Sequence, residues 1–220
     1  VCGVCFGFIG NRMAEPYLRE AEALLLEGAT PARIDAVAQS PEWLGMAMGP
    51  FAVADMSGLD IAWRMRKAQA ATRAQGVRYV DILDRLCEAG RLGRKTGSGY
   101  YTYADGKQAP VTDSVVLQII EDASIRRGIK RQQLPAETIQ RRAMLAIVNE
   151  AACLLGEGVA TRASDIDVVM IHGYGFPRWE GGPVHWARQQ DRASLSRELH
   201  ELAAQCGSGF VLADLNVLFE

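Results

Sequence analysis

The chain repeats itself, and the repeat limits what it can fold into. Glu20-Ala21-x-x-Leu24-Leu25-x-Glu27-Gly28 returns as Glu150-Ala151-x-x-Leu154-Leu155-x-Glu157-Gly158. Ile34-Asp35 returns as Ile166-Asp167, and Gly49-Pro50 as Gly182-Pro183, in the same order. Two copies of one helical unit, duplicated and fused, account for this. Function is then expected where the copies differ and at the seam where they pack.

The dominant period is helical. Ile9, Met13, Tyr17, Ala21, Leu24 and Leu25 follow one helix face, and Gly28 suits the C′ position that ends it. Pro16 lies inside that helix, removes one backbone donor and predicts a bend near Arg12. Thr30-Pro31 reads as N-cap and N1 of a helix ending before Ser40-Pro41. Pro50 opens another through Met56, broken by Gly58, and two more are expected over 61–74 and 79–88. A glycine-rich, basic stretch from Gly90 to Gly99 feeds a short extended run, Tyr100 to Tyr103, and the Asp105-Gly106 turn closes the first unit. Residues 107–134 read as a polar connector with one helix over 114–127. A second unit begins at Pro135 with a long helix to Leu155, followed by helices after Ser164 and Gly182 and a last one over 195–205. Strand signal is almost absent, so the fold class is all-α.

The 220 residues suffice to bury a core in one large or two small domains. A hydrophobic share of 49% and a formal net charge of -2 describe an ordinary soluble globular protein. The absence of a basic stripe argues against nucleic acid or an anionic membrane as main partner. No apolar run approaches a membrane span, and the first residues do not read as a signal peptide. Val1-Cys2-Gly3-Val4-Cys5 reads as the end of a strand or a linker, so a fragment of a longer protein is expected. Five scattered cysteines fit free thiols in a reducing compartment. Cys2-x-x-Cys5 is half a zinc site or a redox pair on paper, but no second pair sits at ligand spacing. Small apolar residues in a buried strand is the favoured reading. No metal site is expected.

Three histidines, His172, His185 and His200, lie in the second half, none at a known catalytic spacing from Cys, Ser or carboxylate. Gly93-Arg94-Lys95-Thr96-Gly97-Ser98-Gly99 tempts a phosphate-loop reading. Its spacing is wrong for a Walker loop and no helix follows, which leaves a basic loop lending one ammonium to a phosphate or ribose, or a solvated turn. Gly7-Phe8-Ile9-Gly10-Asn11-Arg12 is the sharpest local motif. Asn11 at a helix start can cap the helix or address a substrate oxygen, since an amide both donates and accepts. At an offset of 130 the second copy carries Arg141 in its place.

These motifs, with Met48-Gly49-Pro50-Phe51, Asp55, Gly58-Leu59-Asp60 and Leu92-Gly93-Arg94-Lys95-Thr96-Gly97-x-Gly99-Tyr100-Tyr101, closely resemble the C-terminal domain of L-3-hydroxyacyl-CoA dehydrogenases over residues 6–104. Residues 135–220, with Gly175-Phe176-Pro177 and Gly181-Gly182-Pro183, look like the additional, degenerate copy of multifunctional fatty-acid β-oxidation enzymes, joined through 105–134. The resemblance implies two homologous helical domains packed as an internal pseudo-dimer. It implies an upstream Rossmann domain for NAD, carrying a His–Glu pair that removes the hydroxyl proton, and a crotonase-like enoyl-CoA hydratase domain before it. The implied reaction oxidises an L-3-hydroxyacyl-CoA to the 3-ketoacyl-CoA, with this segment inactive by itself. Asn11 matches the family's active-site Asn, Lys95 matches a lysine that reaches the bound NAD, and Arg12 is read as structural. The second copy, with Arg141 for Asn11 and no Lys-Thr-Gly loop, is expected to be catalytically silent. The alternatives are a non-catalytic oligomerisation module or a related dehydrogenase of small hydroxy acids. Because no peroxisomal tripeptide ends the chain, a bacterial cytoplasm is expected rather than a peroxisome.

Overall fold

Helix α1 (Gly10–Glu27) and helix α7 (Ala136–Gly156) are the two copies of the repeated segment, and they form the most extensive helix–helix contact of the computed structural model. The structure describes residues 1–104 and 113–219. The Asp105-Gly106 turn and the first part of the connector lie outside the described residues. Between the long helices run α2 (Pro31–Gln39), α3 (Pro50–Ser57), α4 (Leu59–Ala68), α5 (Ile82–Glu88) and α6 (Ser114–Arg126). After α7 come α8 (Ala163–Gly173), α9 (Pro183–Arg188) and α10 (Arg192–Cys206), with short 3₁₀ turns at Arg94–Thr96, Arg178–Glu180 and Leu215–Leu218. Among the described residues there is no strand, only isolated bridges. The extended run at Tyr100–Tyr103 is therefore a bridged loop, and the opening residues form no strand.

Two cores form, and each long helix serves both. The later turns of α1, through Ala21, Leu24 and Leu25, pack with Phe51, Leu83 and Tyr100, and there they meet Ala136 and Ile139 from the start of α7. The first turns of α1, through Ile9, Met13 and Tyr17, pack instead with Val148, Leu154, Ile166 and Leu199. Helix α6 is integral to the first core, where Val116, Ile120 and Ala123 are fully buried.

The repeated charged residues explain themselves at this crossing. Arg12 donates to Glu150 (2.7 Å) and to Glu157 (3.0 Å), while Arg142 donates to Glu20 (2.6 Å) and to Glu27 (2.8 Å). Each arginine of one copy thus bridges both glutamates of the other. The pairing of start with end also shows that α1 and α7 run antiparallel. Arg12 is structural, as the sequence reading expects.

The other repeated pairs build one device twice. Asp35, on α2, accepts hydrogen bonds from the backbone N–H groups of Phe51 (3.0 Å) and Ala52 (2.9 Å) at the start of α3. Asp167, on α8, accepts from Val184 (2.8 Å) and His185 (3.3 Å) at the start of α9. Each carboxylate satisfies the orphan donors at a helix N-terminus. A Cβ at Gly49 or Gly182 would lie 2.3 Å from the aspartate it faces, which is why Gly-Pro recurs with Ile-Asp. Thr30 caps α2 as expected, accepting from the Arg33 N–H at 3.2 Å.

Candidate active site

Asn11 sits in the first turn of α1 and is exposed. It does not cap that helix, because the N-cap position is Ile9 and no side chain fills it. Its Oδ1 accepts instead a 2.6 Å hydrogen bond from the hydroxyl of Tyr174, the residue that follows α8 in the second copy. The surrounding motif is shaped for this contact. A Cβ at Gly10 would fall 2.3 Å from the Tyr174 ring and 2.6 Å from its hydroxyl oxygen, so only glycine lets the phenol reach Asn11. Gly7 and Phe8 both hold positive φ, 80° and 50°, a conformation that costs a non-glycine residue such as Phe8 about 1 kcal/mol or more. Tyr174 is anchored in turn: the adjacent Gly175 carbonyl accepts from the Ala47 N–H at 2.9 Å, which docks the Tyr174–Pro177 turn on the first copy. Burial keeps the Tyr174 hydroxyl protonated beyond the usual tyrosine range.

The Gly93–Gly99 loop is organised around a buried carboxylate. Asp55, fully buried on α3, accepts from the N–H groups of Tyr100 (2.8 Å) and Tyr101 (3.0 Å) and from the Tyr103 hydroxyl (3.1 Å). Burial raises its pKa, and the two backbone donors oppose that rise. A Cβ at Gly99 would come within 2.0 Å of this carboxylate, and one at Gly93 within 2.4 Å of the Asp55 carbonyl oxygen. The N–H groups of Gly93, Thr96 and Gly97 donate to carbonyls within the loop, and that of Gly99 donates to the Tyr101 carbonyl just beyond it. The loop therefore offers no convergent set of free N–H groups to a phosphate. Its glycines admit Asp55.

Both cations of the loop, Arg94 and Lys95, face solvent. Lys95 is half exposed and its Nζ pairs with Asp60, in the first turn of α4. The Lys95 hydrogen bond holds the Asp60 carboxyl below its ordinary pKa. Two surface depressions, of about 300 and 450 Å³, include neither Asn11 nor Lys95 in their walls. Both groups stand outside these depressions, on exposed surface. The structure brings Asn11 together with Tyr174 and Lys95 with Asp60. It brings Asn11 into no contact with Lys95, and the three histidines into none with either. Sequence reading missed Tyr174. Its one trace in the sequence is Gly10, which has no helix-making reason to be glycine.

The motifs and their geometry agree with a known family. Residues 7–103 match the model described as 3-hydroxyacyl-CoA dehydrogenase, C-terminal domain. That segment belongs to the 3-hydroxyacyl-CoA dehydrogenase C-terminal domain family. The similarity continues through the second copy. The chain is 40% identical over 212 residues to the "Peroxisomal bifunctional enzyme" of Danio rerio, covering 91% of this chain and 29% of the relative. It is 37% identical over 193 residues to the "Peroxisomal fatty acid beta-oxidation multifunctional protein" of Oryza sativa subsp. japonica, covering 85% of this chain and 26% of the relative. The solved dehydrogenase part of multifunctional enzyme 1 from C. elegans superposes with a TM-score of 0.72 at 28% identity, over 99% of this chain and 48% of that one. The chain thus spans under a third of the length of these curated relatives, at their C-terminal part.

The relatives correct one expectation. A bacterial cytoplasm was inferred from the residues that end the chain, yet the relatives are peroxisomal enzymes, which favours the peroxisome. A missing tripeptide at the end of this chain carries no weight of its own.

Proposed function

We propose that this chain is the C-terminal part of an NAD-dependent L-3-hydroxyacyl-CoA dehydrogenase of fatty-acid β-oxidation, within a multifunctional enzyme that also hydrates enoyl-CoA. The observation that supports this best is the Asn11 amide, exposed at a helix start yet held at 2.6 Å by Tyr174. An exposed amide held in one orientation is suited to addressing a ligand oxygen. The acyl-CoA substrate, the Rossmann domain and the crotonase-like domain are then partners supplied by the rest of the polypeptide. Exposed Val53, Met56 and Ile61, on α3 and α4 beside Gly58 and Lys95, offer the Rossmann domain an apolar face to pack on.

Bound NAD supplies a hydride acceptor for C3 of the substrate. The residues of this chain position and stabilise. The Asn11 side-chain NH₂ donates to the oxygen on C3 as negative charge develops there during proton removal. Lys95 lends one ammonium to an anionic oxygen of the dinucleotide, exchanging part of its contact with Asp60. The loop fits that single contact better than a phosphate cradle, since the N–H groups of Gly93, Thr96, Gly97 and Gly99 are already engaged. Without the His–Glu pair and a nucleotide fold, this chain by itself neither binds NAD in register nor turns over.

The domain organisation belongs to the same proposal. Residues 6–104 and 135–220 form two homologous domains, joined by 105–134 and packed as an internal pseudo-dimer. The reciprocal Arg12 and Arg142 bridges support this, as does the sharing of α1 and α7 between both cores. The second domain then buries the apolar face of the first.

The test is Asn11→Ala in the full-length enzyme. Turnover of a 3-hydroxyacyl-CoA is expected to fall at least about tenfold, with the melting temperature unchanged. Undiminished turnover would refute the role of Asn11.

A further inference from the structure

We propose that Tyr174, from the second copy, is a positioning residue for the dehydrogenase reaction: its hydroxyl fixes which end of the Asn11 amide faces the substrate. This rests on the role given to Asn11 above. It also changes the standing of the second copy, which then completes the active site instead of only covering an apolar face.

An Asn side chain at an exposed helix start has two amide orientations of similar size and shape. One presents an acceptor and the other a donor. The oxygen on C3 gains negative charge in the transition state and is served only by the donor. Tyr174 donates to Oδ1 at 2.6 Å, which ties up the acceptor and leaves the NH₂ pointing elsewhere. Two further features serve the same contact. Gly10 opens the space that any Cβ would close against the phenol. The Gly175 carbonyl, pinned by the Ala47 N–H, and Gly175 itself, where a Cβ would lie 2.6 Å from the Ala47 side chain, hold the turn that carries Tyr174. A tyrosine needed only for packing would have no reason to aim its hydroxyl at this acceptor across a gap kept open by glycine. The hydroxyl that holds the Asn11 amide comes from 163 residues along the chain, on the other copy.

The experiment is steady-state kinetics of the full-length enzyme with Tyr174→Phe, Asn11→Ala and the double variant, alongside melting temperatures. Tyr174→Phe removes only the hydroxyl. It is expected to lower kcat roughly three- to tenfold, the worth of one hydrogen bond, with KM for NAD and the melting temperature unchanged. In the double variant, loss of the hydroxyl is expected to add nothing to the loss already caused by Asn11→Ala, because Tyr174 acts only through that amide. A Tyr174→Phe enzyme with wild-type kcat, or one whose loss multiplies with that of Asn11→Ala, would overturn the proposal. If Asn11→Ala itself turns over normally, the broader reading fails first. If Asn11→Ala is slow and Tyr174→Phe is not, only the role of Tyr174 fails.

Discussion

Lys95 and Asp55 divide one loop between them. The loop's glycines and most of its N–H groups serve the buried Asp55 carboxylate and the loop's own turns, and its half-exposed ammonium is left for the surface. Lys95→Ala in the full-length enzyme is therefore expected to raise KM for NAD severalfold, by about the strength of one charge-assisted hydrogen bond, with little change in melting temperature. A changed melting temperature with unchanged KM would make the lysine structural. Asp35 gives a prediction of opposite kind. Burial raises its carboxyl from the ordinary 3.8 to about 6, outweighing the hydrogen bonds from Phe51, Tyr101 and Ala52. Between those values the folded state binds more protons than the unfolded one. The stabilising contribution is full below pH 3.8 and is lost as pH rises through about 6. The stability of the wild type relative to Asp35→Asn should fall across that window by something on the order of 3 kcal/mol, measured by denaturant unfolding at several pH values. A relative gain with rising pH would contradict the assignment.

At the scale of elements, the α1–α7 crossing rests on two reciprocal ion-pair clusters that differ in burial. Arg142 and Glu20 are 11% and 2% exposed, whereas Glu157, bound by Arg12, is 52% exposed. Breaking the buried cluster leaves Glu20 with Arg78 as its remaining charge partner. Arg142→Ala is expected to cost about 3 kcal/mol in urea unfolding, and Arg12→Ala about 1 kcal/mol. Equal costs would show that burial does not set the difference. The elements themselves were largely legible. The repeat located both long helices, and the Thr30-Pro31 and Gly49-Pro50 signals located the starts of α2 and α3. The span 107–134 reads as a polar connector with one helix over 114–127, and that helix is α6, Ser114–Arg126. The spacing of Val116, Ile120 and Ala123 carries a buried helix face that the span's polar average hides. The helix expected over 61–74 runs instead over Leu59–Ala68: it begins at once where Gly58 ends α3, and it stops at the Gln69 C-cap.

For the whole molecule, the duplication shows in sequence because it repeats, and the candidate site shows only in part because it does not. Asn11 stood out where the copies differ. Tyr174 could not, because its contact joins non-equivalent positions of the two copies and no spacing encodes it. The repeated glutamates, by contrast, were visible as a pattern, and only the three-dimensional crossing explains it. The central claim is that this chain presents half of a dehydrogenase site on an open surface. The most direct measurement is a calorimetric titration of NADH into this 220-residue chain and into the longer polypeptide that includes the preceding domains. The account predicts no binding to the shorter chain and clear binding to the longer one. Binding of comparable strength by the shorter chain would contradict it, since that would require a nucleotide site built wholly from these helices.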